Sequence, residues 1–320
     1  MKPSTSSIKT DPHVIGADVA KAFVVIHDSV SGRTTTIANT QEALVEALSV
    51  YGPGDLLVCE VTGGYELATL QAALSVGLAA HRADAARVKN FIKSHGGIAK
   101  TDKIDARWLA RYGQERGSTL GRWEARSADR DALASLVRHR SDLVKLRVQA
   151  LNRRSAPAVG RLAPFLDEQI TFLDGHIKEI ETAIKQLIAQ IDHLATDQKK
   201  LQTLYGLGPV NAPSLLALMP ELGTLGRRQV ASLGAMAPHP VQSGTNTKRT
   251  RTRGGRTELR PILFMAALTA FRCDPKMKAF AQRLSKAGKP KRVVLNAIAR
   301  KILVAANAIL RPENLKVSHA

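Results

Sequence analysis

The chain of 320 residues is 44% hydrophobic and 23% charged, which excludes wholesale disorder and leaves room for two domains. Its 47 Lys and Arg against 27 Asp and Glu give a net charge of +20, which points to a polyanionic partner, nucleic acid first. Two cysteines, Cys59 and Cys273, are too few for a disulfide framework or a structural zinc site. No apolar run approaches the ~20 residues of a membrane span, so a soluble protein of a reducing, cytoplasmic compartment is expected, nucleoid-associated if its partner is DNA.

From the N-terminus, MKPSTSSIKTDPH lacks the apolar core of a secretory signal. Residues 14–20, 22–30 and 33–38 are short β-rich runs that read as a three-stranded meander. The period then changes. Residues 41–50 read as a helix, 55–60 (DLLVCE) as a short buried strand, 65–75 as another helix and 77–82 as a strand. Three antiparallel strands followed by alternating α and β elements make a mixed sheet flanked by helices, the layout of a ribonuclease-H-like domain. Thr101 is placed to N-cap a helix over Asp102–Arg116, with Asp105 in its first turn.

Residues 128–200 turn to long helical stretches, with Leu133, Leu136, Val137, Leu143 and Leu146, then Ile177, Ile180, Ile184, Leu187, Ile188, Ile191 and Leu194, in near-heptad spacing. Pro157 and Pro164 break the first helix from the second, leaving an antiparallel pair whose apolar stripe also suits a coiled-coil seam between subunits, best over 175–199. Residues 201–220 (LQTLYGLGPVNAPSLLALMP) follow the helix, G-L-G turn, helix pattern of a helix-hairpin-helix, in which glycines let backbone amides approach a phosphate. The expected fold class is α/β plus α. A ribonuclease-H-like mixed sheet domain spans 1–125, a long helical, coiled-coil connector 126–200, and a small mainly helical domain 201–320.

Charge divides along the chain. Residues 1–81 hold four basic and eight acidic side chains, whereas 243–301 hold sixteen and two. The basic end suits phosphates and the acidic end a metal ion. In the acidic part, Asp18 interrupts the first strand and Glu60 ends DLLVCE, where a carboxylate is costly without a partner. Asp102 and Asp105, three apart, share a helical face, although a D-x-x-D pair alone is common on solvated helices. With the first and fourth strands adjacent, the four carboxylates meet, and hard oxygen ligands of this kind suit Mg2+. In the basic part, Ser243 lies beside Gly244 in an apolar-poor loop, followed by Lys248, Arg249, Arg251, Arg253, Arg256 and Arg260, which suit phosphate contacts. Most Ser-Gly pairs are simple turns, and His239 nearby reads as a hydrogen-bonded loop residue.

Six segments carry a resemblance. ADVAK, CEVTGGYE, KTDKIDARWLA, LYGLGPVNAPSLLALMPELG, LGAMAPHPVQSGT and RGGRTELRPILFMAAL, in this order over nearly the whole chain, resemble the DEDD-type insertion-sequence transposases related to the Piv DNA invertases. The resemblance implies a RuvC-like domain, a helical connector and a C-terminal transposase domain with a catalytic serine. It implies Mg2+ on Asp18, Glu60, Asp102 and Asp105, and attack on the scissile phosphodiester by Ser243 to form a phosphoserine link, with Thr245 and Thr247 as neighbouring hydroxyls. It also implies a noncoding bridge RNA that pairs with donor and target DNA. Exchange of strands between two duplexes needs more than one active site, so a homodimer or homotetramer is expected. The alternative is a RuvC-like metal-dependent nuclease that uses water on junctions or RNA, with Ser243 structural. A non-catalytic binding protein would show no Mg2+ dependence of cleavage at all.

Overall fold

A computed structural model describes residues 13–97, 101–125, 127–243 and 246–312, with the backbone alone for 240–243 and 246–251. It divides into two compact units, Met1–Ala125 and Arg126–Ala320.

The first unit runs β1 (Val14–Val19), β2 (Phe23–Asp28), β3 (Thr34–Ala38), α1 (Gln41–Leu48), β4 (Leu56–Glu60), α2 (Glu66–Ser75), β5 (Ala79–Ala83), α3 (Ala85–Ser94) and α4 (Asp102–Arg116). The sheet order is β3-β2-β1-β4-β5. The meander pairs antiparallel, and β1–β4 and β4–β5 pair parallel, so the first and fourth strands are neighbours as expected. Alternation along the strands sorts their side chains to two cores. Ile15, Ala17, Ile26, Leu57 and Cys59 face α1 and α2, while Val14, Leu56 and Val58 pack with α3 and α4. The helix α3, absent from the sequence expectations, buries only Val88 and Phe91 and is capped by Asp84, whose side chain accepts from the Arg87 amide. Val88, Phe91 and Ile92 carry helical spacing, but over a single turn only.

Glycine decides how α4 sits. A Cβ on Gly16 would lie 2.0 Å from the Ala106 carbonyl oxygen and 2.5 Å from the Ala110 amide, and one on Gly113 would lie 2.5 Å from Val14. The helix therefore lies directly on β1, its first turn toward the C-terminal end of that strand.

The second unit begins with a hairpin of α5 (Ala128–Arg154) and α6 (Ala163–Ala189). Pro164 falls in the first turn of α6, where its missing N–H breaks no helical bond, and the chain reverses ahead of it. Three ion pairs at heptad spacing fasten the hairpin: Arg140 with Glu181, Arg147 with Asp174 and Arg154 with Asp167. Ile177, Ile184, Ile188 and Leu194, read as part of a seam between subunits, are buried within the chain itself, because the returning helix covers their stripe. There follow α7 (Asp192–Gln202), α8 (Asn211–Leu218), α9 (Arg227–Leu233), β6 (Pro238–Ser243), β7 (Asn246–Thr252), α10 (Leu259–Cys273), α11 (Pro275–Lys286) and α12 (Lys291–Ile309). The antiparallel ribbon β6–β7 replaces the expected loop, since NTKRTRT carries Thr at three positions and favours extended backbone. Among the described residues no helix is long and apolar enough to cross a membrane.

Candidate functional site

The C-terminal end of the sheet is built by register. Ala17 pairs with Cys59, so Asp18 and Glu60 are the next positions on adjacent parallel strands. Gly16 and Val58 both meet α4, and two residues further on the same pleat face come Asp18 and Glu60. On the helix, Ala106, Leu109, Ala110 and Gly113 form the stripe against the sheet, and Asp102 and Asp105 extend it into the first turn. Thr101 caps this turn as expected, its hydroxyl accepting from the Ile104 amide at 3.3 Å. Carboxylates in a first turn are favoured by the helix dipole. Asp18, Glu60 and Asp105 are half-buried and Asp102 is exposed. The fold thus brings the four acidic residues to one end of one sheet. Among the described residues, however, no three His, Cys, Asp or Glu side chains stand as a group able to hold a metal ion.

A fifth carboxylate, missed in the sequence, shapes this end. Glu66 opens α2 and is fully buried. Its Oε2 accepts from the Thr62 amide (3.1 Å), the Thr62 hydroxyl (3.0 Å) and the Gly64 amide (2.8 Å). Its Oε1 takes Nε of Arg82 at 2.8 Å and a second, shorter bond from the same guanidinium. Burial pushes the carboxyl upward, but the hydrogen bonds from its own amide, Arg82, Gly64 and Thr62 outweigh it and hold the group down at about 2. Gly63 (φ 80°) and Gly64 (φ 117°) adopt backbone that side chains resist, letting the turn after Glu60 close over Glu66. The segment CEVTGGYE is therefore a clamp. Its signal was the Thr-Gly-Gly run followed by Glu, but the Arg82 partner lies 16 residues away.

Burial of Cys59, one residue before Glu60, pushes its thiol far above the usual range.

In the second unit, Ser243 is the last residue of β6, paired with Asn246 of β7. It ends a strand rather than lying in a flexible loop. Gly244 and Thr245 lie outside the described residues, as do the side chains of Ser243, Thr247, Lys248, Arg249 and Arg251. The backbone places Lys248 opposite Val241 and Arg251 opposite His239, with an irregularity between them. Arg253 is exposed. Arg256 is engaged, with Nη1 donating to Glu221 at 2.7 Å and to the Leu218 carbonyl at 2.9 Å, and Nη2 donating to Glu221 at 2.5 Å. Arg260 is half-buried and donates to the Thr252 carbonyl at 3.2 Å. Of the six cations expected on phosphate, Arg256 is thus engaged by Glu221 and the end of α8, and Arg260 by the last residue of β7. The G-L-G turn also has a packing role, because a Cβ on Gly206 (φ 90°) would lie 2.2 Å from the Ala266 carbonyl oxygen.

Residues 15–156 match a transposase domain of the DEDD IS110 type, and residues 198–282 match a second domain, described as transposase of the IS116/IS110/IS902 family. The first span contains Asp18, Glu60, Asp102 and Asp105, and the second contains Ser243. Over 311 residues the chain is 28% identical to the pilin gene-inverting protein of Moraxella lacunata and equally to that of Moraxella bovis, covering 93% of this chain and 95% of each relative.

Proposed function

The chain belongs to the IS116/IS110/IS902 family of transposases, and on that premise we propose that it recombines DNA through a serine-linked intermediate with the assistance of a divalent cation. As a transposase of an insertion sequence its substrate is DNA and its activity includes strand cleavage. The observation that carries the finer reading is the register that brings Asp18, Glu60, Asp102 and Asp105 to one sheet end on the face covered by α4. Four carboxylates are a hard-oxygen donor set that fits Mg2+, and holding the ion requires their side chains to draw together. When bound, Mg2+ supplies charge neutralisation at the phosphate.

The protein's own part is a transesterification. The Ser243 oxygen attacks phosphorus and gives up its proton, the bond to one strand oxygen breaks, and that oxygen leaves as a hydroxyl. The energy of the phosphodiester is kept in the Ser–O–P bond, so the reverse step rejoins a strand without an external energy source. The cations of β7, Lys248, Arg249 and Arg251 with Arg253 beyond it, serve phosphate binding and not base reading. Sequence choice then falls to a noncoding bridge RNA pairing with donor and target DNA, in a homodimer or homotetramer that supplies enough active sites for strand exchange.

A denaturing gel of end-labelled substrate tests the chemistry. Wild type leaves a protein-linked band. Ser243→Ala loses the band and keeps DNA binding, and Asp102→Asn loses cleavage altogether. Cleavage without any linked band overturns the serine reading in favour of hydrolysis by water, and full cleavage by Asp102→Asn overturns the metal site.

A further inference from the structure

Outside the carboxylate end, a cleft of about 380 Å³ opens between β2 and α4, lined by His27, Ser29, Arg107, Arg111, Gln114 and Glu115. Its walls follow from the fold. His27 pairs with Gly16, so it shares the sheet face on which α4 lies. Arg107, Arg111 and Gln114, at spacings of four and three, form a stripe along the flank of the helix.

The charges in this cleft are unbalanced. Glu115 accepts from Arg111 at 2.8 Å and lies 3.2 Å from Nε2 of His95, so its charge is shared between two basic groups. Arg111 also stacks over Trp108, 5.4 Å from the ring centroid, which fixes its stem. Among the described residues no carboxylate pairs with Arg107. His27, whose Nδ1 is 2.8 Å from the Thr34 hydroxyl, faces Arg107. Burial first, and then the Arg107 charge, hold its imidazole below the ordinary range, with Asp28 opposing. Two basic side chains thus line one cleft whose single lining carboxylate, Glu115, is already engaged by Arg111 and His95.

We propose that this cleft holds a backbone phosphate of a nucleic-acid strand, with Arg107 as its principal ligand and Arg111, His27, Ser29 and Gln114 as further donors. A guanidinium fork matches phosphate geometry, and the hydroxyl and amide beside it donate without adding charge. The cleft also lies on the helix that starts with Asp102. At ~1.5 Å rise per residue, Arg107 and Arg111 lie about 7.5 and 13.5 Å along its axis from Asp102, within roughly one or two phosphates of a strand that also reaches that end. That strand path rests on the carboxylate end being the cleavage site, whereas phosphate binding in the cleft does not.

The test uses the full chain, wild type and Arg107→Ala, with Arg107→Lys as the charge-preserving control. Labelled single-stranded DNA, single-stranded RNA and duplex DNA are titrated over a salt series. For the strand that occupies the cleft, Arg107→Ala binds more weakly and its slope of log K against log salt falls by about 0.7 to 0.9, while Arg107→Lys keeps the slope. Whichever strand shows this loss names the source. In parallel, NMR of ring-labelled histidines follows His27. Inorganic phosphate, or the responding strand, raises its pKa in wild type and leaves it unmoved in Arg107→Ala. Unchanged slopes with all three strands together with an unmoved His27 overturn the site. Failure of the carboxylate reading shows separately, as normal cleavage by Asp102→Asn with the Arg107 effect on binding intact.

Discussion

The acidic sheet end and the basic ribbon hold their charged residues in opposite ways. Asp18, Glu60, Asp102 and Asp105 stand on β1, β4 and α4; Gly16 and Gly113 seat α4 on the sheet, and the Glu66–Arg82 clamp ties the turn after β4 to β5. Among the described residues the ribbon β6–β7 is a two-stranded sheet, with Arg260 donating to its last residue, Thr252. Two strands alone are marginally stable in water, so the ribbon depends on what it touches. The contrast suits the division of tasks proposed above: groups that share a metal ion must be held within fractions of an ångström, whereas groups that hold phosphates by charge need reach and tolerate movement.

The sharpest way to break this comparison is Gly16→Val. The new Cβ meets backbone of α4, which cannot rotate aside as a side chain does, so α4 lifts from the sheet and the first unit fails to fold stably. Overpacking of this kind costs upward of ~3 kcal/mol here. Thermal melting shows it, and an unchanged melting temperature denies the close approach. A lesser effect is expected of Glu66→Gln, which leaves Arg82 facing an amide and destabilises the first unit by roughly 3 kcal/mol. The same variant tests a pH effect. The Glu66 carboxyl is held at about 2 against an ordinary 4.5, so its contribution is complete above about pH 4.5 and is lost as pH falls toward 2. Asp28 is likewise at about 2: burial raises it, but the amides of Val30 and Ser31 and the His13 ring outweigh that. Stability measured from pH 5 to 2 therefore falls less steeply in Glu66→Gln than in wild type, with the Asp28 part remaining.

The smallest effect on the fold is expected in the ribbon. Replacing Lys248, Arg249 and Arg251 together by Ala leaves melting nearly unchanged and reduces the salt slope of DNA binding by about 0.7 to 0.9 for each phosphate that is no longer neutralised. A collapse in melting temperature would show that the ribbon is as rigid as the sheet end and would remove the contrast.

The amino-acid sequence alone determined the elements whose rules are local. The meander follows from strand alternation, the helix Asp102–Arg116 from its Thr101 cap, and the antiparallel hairpin from heptads on either side of a proline break. It also named the four carboxylates, Asp18 and Glu60 because they interrupt or end an apolar strand, and Asp102 and Asp105 because their spacing puts them on one face of a helix. What it left open depends on partners distant in the chain. The role of Glu66 depends on Arg82 of β5, and the packing role of Gly206 on the crossing of α10 at Ala266. The apolar heptads of α6 did not say which chain would cover them, and the return of the same chain decided it. Period and capping act over one or two turns, whereas burying a charge or a bare glycine is settled only when the tertiary structure brings the second surface into place.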